Sequence, residues 1–114
     1  MKKIEFQVQG SAPEPYRVTL INDEKYLNAL CTCPAGQNGQ YCKHRLAILS
    51  GDTRAIISMN ENQVVTIRDW LRGTDIEKAL IELAQAEHEH LAAKKRLTVA
   101  KKKVAQAMKP RAAE

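Results

Sequence analysis

The sequence predicts an α+β protein, in which a small antiparallel β-meander and a short helix precede one long C-terminal α-helix. Three observations lead to this prediction. Apolar and polar residues alternate through most of residues 4–30, which is typical of half-buried strands. All three cysteines and a histidine lie within residues 31–44. From Thr74 onward, no residue would stop a helix before Pro110.

The alternating region contains three strands. Residues 4–9 and 16–21 alternate with the period of a strand, and residues 26–30 form a third, shorter run. Turn-forming residues occupy the two intervals between these runs. In an antiparallel meander of these strands, four apolar side chains share the inner face: Phe6, Val8, Val18 and Leu20.

The cysteines and the histidine occur in two closely spaced pairs, Cys31-X-Cys33 and Cys42-X-His44. Three thiolates and one imidazole complete the tetrahedral donor set of a closed zinc site, so we predict one Zn²⁺ per chain on these four residues. On a strand, residues i and i+2 face the same side, which suits Cys31 and Cys33. In a helix they do not, so Cys42 is expected just before a helix and His44 in its first turn.

Two other uses of the cysteines remain open. A disulfide would leave one of the three cysteines unpaired. A reactive thiolate, activated by the neighbouring Lys43, is the second alternative. The residues after Met1 do not resemble a signal peptide, and no apolar run is long enough to span a membrane. We therefore expect a soluble, cytoplasmic protein in a reducing compartment, where free thiols persist.

The ligand pattern, with alternating strands before it and an apolar helix start after it, resembles the SWIM-type zinc finger over residues 4–50. The resemblance implies a zinc-held module that binds DNA or other proteins, and it supplies no catalytic activity. Four protein ligands would also leave zinc no open position for a water molecule. We therefore expect a protein that is not an enzyme.

The zinc-finger module is expected to occupy residues 1–58. After His44, three apolar residues suit a helix that packs on the sheet and is interrupted at residues 50–52: Leu46, Leu49 and Ile56. A connecting helix is expected at residues 59–73, with apolar side chains at helical spacing: Val64, Ile67 and Leu71. The β-branched run at 64–67 leaves a strand as the alternative. Trp70 is expected to pack between the module and the remainder of the chain.

Residues 74–109 predict a single helix about 50 Å long, and residues 110–114 a disordered tail. The helix begins with a capping box, in which Thr74 and Glu77 occupy the first and last positions. Two sets of residues, each repeating every seven positions, form a coiled-coil seam with alanine at one core position. The seam comprises Ile76, Ala79, Leu83, Ala86, His90, Ala93, Leu97, Ala100, Val104 and Ala107.

Charges beside the seam are acidic in the first half of this helix and basic in the second. A parallel pair of helices would place like charges together, whereas an antiparallel pair joins opposite charges: Glu82 with Lys103, Glu89 with Arg96, and Glu87 with Lys101. The pattern therefore predicts an antiparallel homodimer, a rod with one finger at each end. His88 and His90 diverge on a helix, so they are not interpreted as a second metal site.

The chain carries a net charge of +5, which favours an acidic partner such as nucleic acid. The candidate contact residues flank the metal ligands or cluster late in the long helix: Lys43, Arg45, Lys94, Lys95, Arg96, Lys101, Lys102 and Lys103. Solvated side chains are the alternative for Lys43 and Arg45. Two functions remain: binding to DNA, mostly through phosphates, or a protein–protein adaptor in which the finger docks a partner protein and the helix dimerises.

Overall fold

The computed structural model describes residues 1–110 and has the predicted α+β class. The tail expected at 110–114 falls outside the described residues, apart from Pro110. Three strands come first: β1 (Lys2–Val8), β2 (Tyr16–Asp23) and β3 (Tyr26–Cys31). The helices follow: α1 (Pro34–Gln37), α2 (Lys43–Leu49), α3 (Val64–Leu71) and α4 (Asp75–Ala107), with a short 3-10 turn at Glu61–Gln63 before α3.

The strands form the expected antiparallel meander, in the order β1-β2-β3. Phe6 of β1 lies opposite Val18 of β2, and Val18 in turn lies opposite Cys31 of β3. All four residues predicted for the inner face are buried. Alternating apolar side chains therefore build one packed face, and the last residue of β3 is a metal-ligand candidate.

A later segment covers the outer edge of β1. The backbone N–H of Gln9 donates to the carbonyl of Ala55 at 2.8 Å, and that of Ile57 donates to the carbonyl of Gln7 at 2.8 Å. Ile56 therefore pairs with Val8 in an isolated bridge. The expectation that Ile56 continues a helical face was wrong, because α2 ends at Leu49 and the chain after it is extended along β1.

Helices α2 and α3 pack on the same face of the sheet. Ile48, rather than Leu46 or Leu49, is the fully buried residue of α2. Val64 and Ile67 are buried in α3, so the helix predicted there is confirmed and the alternative strand is wrong. Trp70 is partly buried against this core.

The chain divides by its contacts into two compact units, residues 1–78 and the part that follows from Ala79. Helix α4 begins with the predicted cap: the backbone N–H of Glu77 donates to Thr74 Oγ1 at 3.2 Å, and that of Gly73 donates to Glu77 Oε1 at 3.0 Å. No residue of α4 is buried in the single chain. Among residues 1–110, no helix combines the length and apolar character that a bilayer crossing requires.

Candidate metal centre

The end of β3 positions the first pair of cysteines. Thr32, between them, continues the ladder with Arg17: its N–H donates to the Arg17 carbonyl at 3.1 Å, and its hydroxyl accepts from the Arg17 N–H at 2.9 Å. This pairing keeps the backbone extended through the Cys-X-Cys segment, so that Cys31 and Cys33 lie on the same side. The geometry expected from their spacing is therefore confirmed.

Helix α1 starts directly at the second cysteine. Cys33 is its N-cap, and the Cys33 sulfur accepts the N–H of Gly36 at 3.3 Å. The N–H of Cys33 lies 3.5 Å from the Cys31 sulfur and donates to it. No helix was predicted between the two ligand pairs. The N-terminal N–H groups of α1 direct positive partial charge toward the sulfur atoms.

The start of α2 positions the second pair. Cys42 is the N-cap, with extended backbone at φ −129° and ψ 116°, and His44 lies in the first turn, as predicted. The histidine presents Nδ1 to the cysteines: it lies 3.8 Å from the sulfur of Cys42 and 3.9 Å from that of Cys31. The change from extended to helical backbone at Cys42 allows both side chains to reach one point.

The four candidate ligand atoms all lie within 4.8 Å of one another. The sulfur atoms of Cys33 and Cys42 are 3.4 Å apart. A tetrahedron built from Zn–S bonds of about 2.3 Å has edges of about 3.8 Å, so these separations suit a zinc ion. All three cysteines are buried free thiols, so the disulfide alternative does not apply. Three thiolates and one imidazole would give zinc a closed, structural coordination sphere.

Two of the thiols differ in their tendency to ionise. Burial raises the pKa of the Cys31 thiol to about 12. Burial also opposes ionisation of Cys42, but hydrogen bonds from the Arg45 backbone and from the Cys33 and His44 side chains lower its pKa to about 6. Lys43 is not among these causes, so the lowered pKa of Cys42 comes from Arg45 and the neighbouring ligand candidates and not from the lysine beside it. A metal that binds here displaces protons from the cluster.

Tyr16 and Gly10 hold the histidine ring from its other side. The rings of Tyr16 and His44 have centroids 5.0 Å apart and are inclined by 47°. A Cβ atom on Gly10 would lie 2.5 Å from the Tyr16 ring and 3.1 Å from His44 Nε2. Within residues 1–110, Nε2 is buried without a hydrogen-bond partner. The two residues fix the ring by close packing, a role that their positions in the sequence do not indicate.

Arg45 has a structural role that its position in the sequence did not reveal. Its guanidinium donates to the carbonyl of Ala29 in β3 at 3.0 Å and to the carbonyl of Gln40 at 2.7 Å. Arg45 is therefore half-buried, and the expectation that it would be exposed was wrong. It joins the strand that carries Cys31 to the loop that leads to Cys42. Lys43 is exposed, as expected.

The other predicted contact residues and all of the predicted seam residues lie on α4, which follows the metal ligands in the sequence. All six cations predicted there are exposed: Lys94, Lys95, Arg96, Lys101, Lys102 and Lys103. The predicted seam residues are exposed or half-buried in the single chain. The structure therefore brings together the four metal ligands and leaves the α4 residues accessible.

The substitution Gly36→Ala is expected to weaken the metal site. A Cβ atom at this position would lie 2.5 Å from the Cys31 carbonyl oxygen and 2.8 Å from Cys31 Cβ, so the first ligand must move. We expect a loss of about 1–3 kcal/mol in the free energy of unfolding of the zinc-loaded protein, the usual cost of forcing extra volume into a packed site. Urea unfolding measures the change in stability, and zinc transfer to a coloured chelator measures the change in zinc affinity. The control is Gln37→Ala in the same helix, at an exposed position; equal behaviour of the two variants would contradict the prediction.

Comparison with known families agrees with this geometry. The family model of the SWIM zinc finger matches residues 16–50, which run from the start of β2 to just after α2 and include all four clustered ligands. No curated protein and no solved structure matches the chain. The family match and the clustered Cys3His donors identify residues 16–50 as a SWIM zinc finger.

Proposed function

We propose that this protein is a zinc-binding, non-catalytic module that binds nucleic acid, in particular duplex DNA, mostly through its phosphates. The observation that carries the proposal is the charge of α4. Within α4, residues 91–107 contain six basic residues and no acidic one. Within residues 1–110, the recorded ion pairs are Arg54–Asp52 and Arg72–Asp69, so the cations of α4 have no acidic partner in the described chain.

The spacing of these cations favours contact with a phosphate backbone. Lys95 and Lys102 are seven residues apart, which places them on one side of α4 about 10 Å from each other, and Lys109 continues the seven-residue spacing just after α4 ends at Ala107. Duplex DNA carries one negative charge per about 1.7 Å of its axis, so such a row can neutralise several phosphates and release their counterions. Phosphate contacts of this kind carry no information about base sequence.

The zinc site would serve this function as a scaffold. One zinc ion per chain, held by Cys31, Cys33, Cys42 and His44, would link β3 to α2 and present exposed Lys43 beside the metal. When bound, the metal supplies folding energy rather than a reactive position, because four protein donors fill its tetrahedral sphere. This coordination supports a binding role over catalysis.

A gel-shift or fluorescence-anisotropy titration with duplex DNA tests the proposal. We expect binding at low salt without sequence preference, and a logarithmic salt dependence of about −0.9 for each phosphate contact. Neutralising one row, by Lys95→Gln, Lys102→Gln and Lys109→Gln, is expected to weaken binding by about tenfold or more and to reduce the salt slope by about 2–3.

The matched control neutralises three exposed lysines elsewhere, Lys2, Lys3 and Lys25, by the same substitution to glutamine. It changes the net charge equally, so equal weakening by both sets would show a response to net charge alone and contradict the assigned surface. Absence of binding by the zinc-loaded protein at low salt would overturn the DNA-binding function. It would leave the adaptor alternative, for which the structure offers a cavity of about 580 Å³ lined by Val8, Gly10, His44, Ile48 and Ile56 among others.

A further inference from the structure

We propose that α4 pairs with α4 of a second copy of this chain in one antiparallel register, in which each large seam residue packs against an alanine of the partner. The inference concerns the surface of α4 alone and depends neither on zinc nor on DNA. Leu97 and Val104 of the seam are 55% and 56% exposed in the single chain. Residues at this seven-residue spacing form one stripe along α4, and in the described chain the stripe residues from Ala86 to Ala107 are all exposed.

The first argument is the size of the seam residues. Antiparallel pairing places the first core position of one helix against the second core position of the other. In the proposed register the five facing pairs are Ile76 with Ala107, Leu83 with Ala100, His90 with Ala93, Leu97 with Ala86, and Val104 with Ala79, each occurring twice by symmetry. Every layer therefore combines one larger side chain with one methyl group, which allows a uniform, close separation of the helices.

Parallel pairing would produce uneven layers. Each core position then faces its own copy, so Leu97 would meet Leu97 and Ala100 would meet Ala100. Helix separation depends on the side chains in the contact, and layers of two leucines and of two alanines require different distances. The parallel arrangement would also place His90 directly against its copy. The seam composition therefore favours antiparallel pairing.

The second argument is the charge beside the seam. In the proposed register, opposite charges flank the core: Glu82 with Lys103, Glu89 with Arg96, and Glu87 with Lys94. Lys94, rather than the Lys101 expected from the sequence alone, is thus the partner of Glu87. In a parallel pair Glu82 would meet Glu87, Arg96 would meet Lys101, and only Glu89 would meet an opposite charge, Lys94. Charge pairing at such flanking positions sets helix orientation.

The proposed pairing leaves a cationic surface free. Lys95 and Lys102 lie outside both the seam and its flanking positions. A dimer would therefore present these lysines from two helices at once. Two linked binding surfaces can bind one extended polymer more tightly than either does alone, so the dimer is compatible with the DNA-binding function.

Two pairs of equally exposed residues provide a matched test of the seam. Leu97 and Val104 lie in it, whereas Leu91 and Val99, each 51% exposed, lie on other sides of α4. We expect sedimentation equilibrium to give twice the 12.8 kDa of one chain for the unmodified protein and for the Leu91→Ser/Val99→Ser control. The Leu97→Ser/Val104→Ser variant is expected to dissociate, with a dimer dissociation constant raised at least tenfold. A monomeric unmodified protein at about 100 μM, or equal dissociation of both variants, would overturn the pairing.

A zero-length carbodiimide cross-link tests the orientation. Glu82 and Lys103 are separated by about 30 Å along one helix, so an amide between them must join two copies. We expect this link in an equal mixture of isotope-labelled and unlabelled protein, with half of the linked peptides carrying both labels. Mixed-label links from Glu89 to Lys94 would show a parallel pair, and a dimer without the link between Glu82 and Lys103 would show a different register. Either result would overturn the proposed arrangement.

Discussion

Replacement of Cys33 by serine is expected to abolish tight zinc binding and to unfold the sheet-containing unit of the protein. Cys33 is buried, caps α1, and places its sulfur 3.4 Å from that of Cys42. Structural zinc contributes on the order of 10 kcal/mol to the folding of small fingers. That is comparable with or larger than the whole stability of an ordinary domain, about 5–15 kcal/mol. Loss of one of the four donors therefore removes the largest single stabilising term.

Metal analysis of the purified protein measures the loss of zinc binding. Circular dichroism during titration with a strong chelator measures the unfolding of the sheet-containing unit. We expect one zinc per unmodified chain, and loss of the sheet signal when the chelator removes it, while α4 retains part of its helical signal. The control is Thr32→Ser, which keeps the hydroxyl that accepts from Arg17 and lies between the two ligands. A Cys33→Ser variant that retained stoichiometric zinc and the stability of this control would contradict the assignment of the site.

Replacement of Phe6 by alanine is expected to cause the largest loss of stability among the residues that do not bind the metal. Phe6 is the only phenylalanine, is 0% exposed, and lies opposite Val18, the strand partner of Cys31. Truncation of a buried phenylalanine costs about 3–5 kcal/mol, which is a large share of the stability of a small domain. The apparent zinc affinity should fall as well, because zinc binds the folded unit and a destabilised unit is folded for a smaller fraction of the time.

Urea unfolding of the zinc-loaded protein checks this prediction, and competition with a chelator gives the change in zinc affinity. Tyr26→Ala provides the aromatic control, because Tyr26 is 61% exposed on β3. It is expected to change the free energy of unfolding by less than about 1 kcal/mol. Equal losses of stability in the two variants would contradict the assignment of Phe6 to the hydrophobic core.

The local parts of this structure could be predicted from the sequence because their signals are local. Alternation identified the strands and the four inner-face residues, and the spacing of the ligands indicated both the extended backbone at Cys31 and the helix that starts after Cys42. These features depend on the direction of side chains that are two positions apart. Long uninterrupted helical sequence likewise identified α4.

The features that sequence reasoning missed depend on contacts between distant residues. Arg45 donates to a carbonyl 16 positions earlier, in Ala29, and nothing near Arg45 in the sequence indicates that acceptor. Gly10 and Gly36 are required by close approaches to Tyr16 and Cys31, and nothing near either glycine in the sequence indicates these contacts. Ile56 was assigned to a helical face because periodicity cannot show which strand edge an extended segment will cover. The pairing of α4 stays a prediction, because a single chain does not test it.

The hydrophobic core includes side chains from β1 and α3, which lie outside the family-matched residues 16–50. The largest fully buried side chains are Phe6, Leu20, Ile48, Ile67, Val8 and Val18, and Phe6, Val8 and Ile67 lie outside the family-matched residues 16–50. Excised alone, the matched segment would keep all four donors but would lose half of these buried side chains. We therefore expect that residues 16–50 do not fold on their own, because residues before and after them supply half of the largest buried side chains.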